Sequence, residues 1–188
     1  IHKPYGYLSQ FVCDQKKKRL LGELHGFPEG TMAIGRLDED SEGLLLLTTD
    51  GKVSENMRSK SVEKEYYAQV DGLITDEAIA ELCQGIELSY RGVGYKTLPC
   101  KVFRLQSDPG FAERTRRIRD ERHGPTSWVS ITLTEGKFRQ VRKMTAAVGF
   151  PTLRLVRVRV GSIYLQDLQP GAVVEIEDPS PAETLNRV

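Results

Sequence analysis

Cysteine is scarce in this 188-residue chain: Cys13, Cys83 and Cys100 are the only three. Their odd number and wide spacing exclude a disulfide framework and a cysteine-based zinc site. Each reads as a small buried or half-buried side chain in a reducing compartment, so a cytoplasmic location is expected. The three histidines show no metal-ligand spacing, and His123 reads as a bystander. No metal site is therefore expected. No apolar run approaches the ~18–20 residues that span a bilayer, so no membrane association is expected. No signal-peptide pattern, internal repeat, or glycine-rich loop of Walker or dinucleotide spacing occurs. The chain opens on Ile1 without a methionine, and a trimmed N-terminus is expected.

What the chain has is charge, unevenly placed. The formal net charge is only +1. Residues 101–161 nevertheless hold 14 Lys/Arg against 5 Asp/Glu, a balance of +9, whereas residues 36–100 hold 7 against 13, a balance of −6. A dense basic segment in a near-neutral protein is the footprint of a polyanion ligand, or else a solvated cationic face. With 39% hydrophobic residues, the chain can bury a full core as one domain or two small lobes.

The stretch from Ile34 to Gly51, I-G-R-L-D-E-D-S-E-G-L-L-L-L-T-T-D-G, packs Arg36, Asp38, Glu39, Asp40 and Glu42 into a turn and follows them with Leu44–Thr48. A short apolar run between turn signals reads as one strand buried on both faces, though a helix fits its periodicity as well. The charged loop thus runs directly to the edge of a core, where a rigid scaffold positions functional side chains. Asp38 is the leading candidate for chemistry. The bland alternative is an Arg36–Asp38 ion pair tying down a turn.

The elements follow from pattern. H-K-P-Y-G suggests the end of a strand, a turn over Lys3–Gly6 and a short re-entry. Lys16-Lys17-Lys18-Arg19 reads as solvated surface or a phosphate contact, and a short helix is expected before Gly26. A helix is expected over Lys52–Arg58, a strand over Lys64–Val70, and a helix from Asp76 capped by Thr75 and ending at Gly85. Strands are expected at Tyr95–Leu105, Trp128–Leu133, Leu153–Gly161 and Val173–Ile176. Val141, Met144 and Val148 define one face of a helix whose other face carries arginines. Ser107–His123 has only Phe111 and Ile118 as bulky apolar residues, and its arginines read as an RNA-contacting loop or a plain solvated one. The acidic tail from Glu177 is expected to fray.

G-R-L-D-x-D-S-x-G-L-L-L-L-T resembles the catalytic motif of the RsuA-type pseudouridine synthases, which isomerise uridine in RNA. H-K-P-Y-G resembles their first motif, K-E-Y (Lys64–Tyr66) their K-x-Y motif, E-G-K-F-R-Q-V-R-K-M their third, and Leu155, Arg157, Val160 and Gly161 their L-x-R-x-x-[IV]-G pattern. The motifs keep the family's order over nearly the whole chain. The resemblance implies an α+β fold: a mixed, mostly antiparallel sheet flanked by helices, in two lobes with a central RNA-binding cleft. Residues 1–188 are expected to form a single catalytic domain of two sublobes, without the small S4 RNA-binding domain that many members carry, and to act as a monomer.

The resemblance also assigns roles. Asp38 corresponds to the catalytic aspartate, Tyr66 to the tyrosine that stacks on the target base, and Arg142 to the basic residue paired with the aspartate. An enclosed carboxylate tends to be neutralised by desolvation, and a neighbouring arginine keeps it charged. Asp38 would break the glycosidic bond by attack on the sugar C1′, on the base C6, or by removing the 2′ proton. Arg36, Arg114, Arg116, Arg117, Arg119, Arg122, Arg139, Lys143 and Arg157 are the candidate RNA contacts. Large-subunit ribosomal RNA is the implied substrate, and the implied isomerisation uses no cofactor and no metal. H-K-P-Y-G would support the active-site loop without direct chemistry. Lys137-Phe138-Arg139 lies where members vary, which leaves substrate choice open. Two other classes of function stand beside this one. A catalytically silent RNA-binding or ribosome-assembly protein would keep the fold without the reaction. A glycosidase-like hydrolase would use Asp38 and Asp40, although two carboxylates on one turn are poorly placed to flank a bond.

Overall fold

The computed structural model describes residues 1–59, 61–90, 92–118 and 121–177. The chain divides into two compact units, Ile1–Lys64 with Val156–Val188, and Glu65–Leu155. The fold is mixed α/β with a mostly antiparallel sheet and few helices.

In the first unit, β1 (His2–Lys3), β2 (Tyr7–Leu8), β3 (Arg19–Leu20), β4 (Met32–Ala33), β5 (Glu42–Leu44) and β6 (Leu47–Thr48) are all short. Glycine and proline turns interrupt them, so most register comes from partners distant in sequence. β1 pairs antiparallel with β5, and β4 with β6. α1 (Gly51–Met57) starts where Asp50 Oδ1 accepts the Lys52 and Val53 amides at 2.7 and 3.4 Å, satisfying two donors that a helix leaves open.

In the second unit, β7 (Lys64–Asp71) leads to α2 (Asp76–Gln84), with Thr75 as N-cap and Gly85 at the C-cap, as their local chemistry predicts. The hairpin β8 (Glu87–Tyr90) and β9 (Val93–Lys96) follows, then β10 (Lys101–Arg104), which pairs antiparallel with β11 (Thr126–Leu133). β7, β11 and β10 are neighbours in that order. α3 (Gln140–Ala147) buries Val141 and Met144, the face read from the sequence. Its core joins Ala68, Val70, Ile74, Leu82, Val129, Ile131 and Met144.

The chain returns through β12 (Thr152–Val160) to β13 (Ile163–Tyr164). β12 runs parallel to β5, with Val156 opposite Glu42 and Arg157 opposite Gly43. Gly43 has φ 106°, and a Cβ there would lie 2.3 Å from the Arg157 carbonyl oxygen. A side chain would have to push two backbones apart.

Three expectations are corrected. The leucine run is not one strand: it breaks at Leu45-Leu46, because the Leu45 amide goes to the Ile1 carbonyl (2.8 Å) and the Leu46 carbonyl to the Ile34 amide (2.8 Å). Tyr95–Leu105 is likewise two strands, separated by Thr97–Cys100, where Thr97 is buried and caps the chain onto Ile86. Val173–Ile176 carries no strand despite its composition. Tail residues 178–188 lie outside the described residues. No helix among the described residues is long and apolar enough to cross a membrane.

Candidate active site

The loop carrying Asp38 is stapled to the H-K-P-Y-G turn by backbone groups. The Ser9 hydroxyl donates to the Leu37 carbonyl at 2.7 Å and accepts the Leu37 amide at 2.9 Å, so one side chain satisfies both polar groups of the residue before Asp38. The Gly6 amide donates to the Glu39 carbonyl at 2.8 Å, and the Ser41 amide closes a turn on the Asp38 carbonyl at 3.0 Å. Asp38 itself is half-buried, and Leu37 beside it is buried. Nothing in the pattern of the first twelve residues singled out Ser9. Its proximity to Leu37 is a product of the fold.

Beneath the loop lies Lys3, a fully buried lysine. Its Nζ donates to the Pro4 and Tyr7 carbonyls at 3.0 and 2.7 Å. Burial pushes its ammonium down to about 8, against the upward pull of Glu42, Asp40, Asp38 and Glu39. The carboxylates of the acidic turn thus act electrostatically on an internal cation. A buried charge requires such partners, because desolvation alone would neutralise it or unfold its site. The support expected from this motif is thus electrostatic as well as steric.

The other charged residues of the first unit are tied down in several ways. Lys18 pairs with Glu39 at 2.6 Å, and Arg19 lies 4.0 Å from the Tyr7 ring centre while bonding its hydroxyl. Half of the basic run 16–19 is thereby structural, whereas Lys16 and Lys17 remain exposed. Arg36 is exposed. Arg157 is only 5% exposed and donates from Nε to the Leu44 carbonyl at 2.8 Å. It ties β12 to the strand after the acidic turn, and its Nη2 is buried without a hydrogen-bond partner among the described residues. Lys64, which opens the K-x-Y motif, is lowered by burial and then by the charge of Arg157.

Tyr66 and Arg142 belong to the second unit and are half-buried. Tyr66 packs against the core from β7. Arg142 projects from α3, and its Nη1 donates to the Thr152 carbonyl at 3.3 Å. Thr145 and Thr152 share a hydroxyl hydrogen bond of 2.7 Å beside it. Tyr66 thus shares its face of β7 with buried Ala68 and Val70, and Arg142 stands on a helix that buries Val141 and Met144. Arg139 precedes α3 in the left-handed region at φ 52°, and Lys143 reaches the Ser89 carbonyl at 3.4 Å.

The arginine-rich segment is better anchored than its composition suggests. Phe111 sits 5.7 Å from Trp128 and 6.1 Å from Tyr67, ring centre to ring centre, with the Arg154 guanidinium 5.6 Å away. Trp128 Nε1 donates to Asp108 at 3.1 Å, and Arg154 Nη2 to the Ala112 carbonyl at 2.9 Å. Residues 108–112 are docked, and this base holds the arginines that follow. Arg114 donates to the Arg116 carbonyl at 2.7 Å. Arg116, Arg117 and Arg122 are exposed. Arg119 lies outside the described residues. No group of three or more His, Cys, Asp or Glu that could hold a metal occurs among the described residues.

Residues 1–147 match the family described as RNA pseudouridylate synthase. The chain is 46% identical over 182 residues to the ribosomal large subunit pseudouridine synthase E of Vibrio vulnificus (strain CMCP6), covering 95% of this chain and 74% of that protein. It is 43% identical over 174 residues to the protein of the same name from Xanthomonas campestris pv. campestris, covering 91% and 90%. Among solved structures, it superposes with a TM-score of 0.71 at 27% identity on one described as a crystal structure of pseudouridylate synthase, covering 92% of this chain and 66% of that one.

Proposed function

The chain belongs to the RNA pseudouridylate synthase family, and from that premise we propose that it isomerises uridine to pseudouridine in large-subunit ribosomal RNA, with Asp38 as the catalytic nucleophile or base. The observation that carries this reading is the mounting of Asp38. It is a half-buried carboxylate on a turn clamped at Leu37 by Ser9, within electrostatic reach of the internal ammonium of Lys3. A binding protein for a polyanion gains nothing from a carboxylate held so firmly. The sequence identity to two large-subunit enzymes supports the choice of RNA.

In the proposed reaction the N1–C1′ bond of uridine breaks, the uracil turns, and a C5–C1′ bond forms. The C5 proton leaves and N1 gains one, so the oxidation state is unchanged. Tyr66 supplies a stacking face for a base taken out of its stack, a cost of a few kcal/mol that is least in loops. Arg142 takes the role that the family resemblance assigns it, keeping the catalytic carboxylate charged. Exposed Arg36, Arg116, Arg117 and Arg122, with Arg114, Arg139 and Lys143, take phosphates, where a guanidinium offers two donors to two oxygens. Arg119 belongs to the same proposed set. Buried Arg157 serves by holding the Leu44 backbone. Residues 1–188 work as one catalytic domain and as a monomer.

The test is incubation of the protein and an Asp38→Asn variant with unmodified large-subunit RNA tritiated at uridine C5. Tritium release by the wild type alone is the expected result. Equal binding by both with no release identifies an RNA-binding scaffold, and free uracil identifies a hydrolase.

A further inference from the structure

The turn before α3 holds a side chain that the reaction above does not use. Gln140, itself buried, accepts the Lys137 amide on Oε1 at 2.9 Å and donates from Nε2 to Glu135 Oε1 at 2.5 Å. The same Glu135 oxygen accepts the Leu98 amide at 2.9 Å. Arg139 adopts a left-handed conformation, φ 52° and ψ 33°, which costs energy in a residue with a Cβ and persists only when its surroundings enforce it. The turn is therefore rigid.

At its crest stands Phe138, 59% exposed. An exposed phenylalanine on a mobile loop signifies little, since single apolar residues are common at surfaces. On a clamped turn it has surrendered its freedom before any ligand arrives, and its ring still lacks a full apolar cover. Lys143 Nζ lies 5.7 Å from the Phe138 ring centre, and Lys137 Nζ lies 3.5 Å from that of Tyr95 on the neighbouring hairpin. From Gly136 to Lys143 the chain carries four cations, Lys137, Arg139, Arg142 and Lys143, and no acid. An aromatic face fixed among cations suits one ligand class above others: an unpaired nucleotide, with the base on the ring and its phosphates on the lysines.

We propose that Phe138 is a stacking platform for an unpaired base of the RNA, with Lys137 and Lys143 contacting the adjoining phosphates. This rests on the RNA-modifying reading but is independent of the catalytic role of Asp38. Because stacking accepts any base, the platform contributes affinity and register, and the exposed ring selects single-stranded segments over duplex.

The test measures binding of fluorescein-labelled dodecauridylate by anisotropy at fixed salt. Phe138→Ala is expected to weaken binding between about fivefold and a hundredfold, the usual range for one stacked base. Phe138→Trp is expected to restore it to within about threefold, with the new indole emission quenched by RNA beyond any change seen for wild-type Trp128. Phe138→Leu is expected to stay as weak as the alanine variant. Circular-dichroism melts confirm that each variant is folded. Binding by Phe138→Ala within twofold of wild type overturns the proposal, and so does equal binding by the Leu and Trp variants, which would mean apolar contact without stacking. If this series behaves as expected while Asp38→Asn still releases tritium, the catalytic assignment fails and the platform stands.

Discussion

Lys3→Met isolates the energetics of the charge buried under the acidic turn. Lys3 is fully buried, and its pKa is lowered from 10.5 to about 8, chiefly by desolvation. Folding therefore disfavours its protonated form. Below pH 8 both folded and unfolded chains bind the proton, and the penalty is present in full; the fall from 10.5 to about 8 corresponds to about 3 kcal/mol. Between pH 8 and 10.5 the unfolded chain binds more protons than the folded one, so this group makes stability rise with pH. By pH 10 about 2.5 kcal/mol of the penalty is removed. The methionine variant lacks this titration. It also loses the hydrogen bonds to Pro4 and Tyr7 and the counter-charge to Asp38, Glu39, Asp40 and Glu42, so its stability at pH 7 is a balance of large opposing effects. The difference between the two proteins as a function of pH is the clean observable. Urea denaturation at pH 7, 8, 9 and 10 is expected to show wild type gaining about 2.5 kcal/mol on the variant, or roughly 1 M in midpoint for a chain of this size. A difference that stays flat within about 0.5 kcal/mol would mean that Lys3 is solvated, and the account of the turn would fall with it.

Three further outcomes are expected. Ser9→Ala leaves both polar groups of Leu37 without their partner, a cost of about 1–3 kcal/mol; kcat should fall roughly tenfold with KM within about twofold, and an effect confined to KM would contradict a positioning role. Gly43→Ala forces a side chain into positive φ and onto the Arg157 backbone, so it should lose more than about 3 kcal/mol in thermal unfolding; a melting temperature within about 2 °C of wild type would show that β5 and β12 are not closely apposed. Replacing Arg116 and Arg117 together with alanine should reduce the slope of log binding constant against log salt by roughly 1.4 if each meets a phosphate of single-stranded RNA, and an unchanged slope would remove both from the interface.

How legible the molecule is in its sequence depends on the range over which each feature is decided. α1 and α2 were readable to within a residue or two because their ends are set by Asp50, Thr75 and Gly85, whose side chains and torsions act within three residues. β7, β11 and the outline of β12 were readable because alternation is local too. The leucine run looks continuous in sequence because only distant partners, Ile1 and Ile34, decide where its ladder breaks. Val173–Ile176 has strand composition, but a strand exists only where a neighbour accepts its hydrogen bonds. The charged loop pointed to Asp38 and the family resemblance to Arg142, yet neither could reveal Ser9, whose role is created by a contact 28 residues away.

Charged residues are the least legible from sequence, for a physical reason. Lys3, Arg154 and Arg157 carry the same letters as surface cations but are buried, each held by backbone carbonyls. The +9 balance of residues 101–161 therefore overstates the charge offered to a ligand, since Arg154 and Arg157 are spent inside the fold. Among the described residues, apart from Lys101 and Arg104 on β10 and Arg159 on β12, the cations left outside lie in the loop rooted by Phe111 and the turn crowned by Phe138. In the first, the docked Phe111 ring and the hydrogen bonds of Trp128 and Arg154 fix the backbone before any anion arrives; in the second, the hydrogen bonds of Gln140 and Glu135 do so. Attraction between a flexible cation and phosphate is screened by salt and opposed by side-chain entropy, so rooting the backbone is what lets these residues set register as well as add charge.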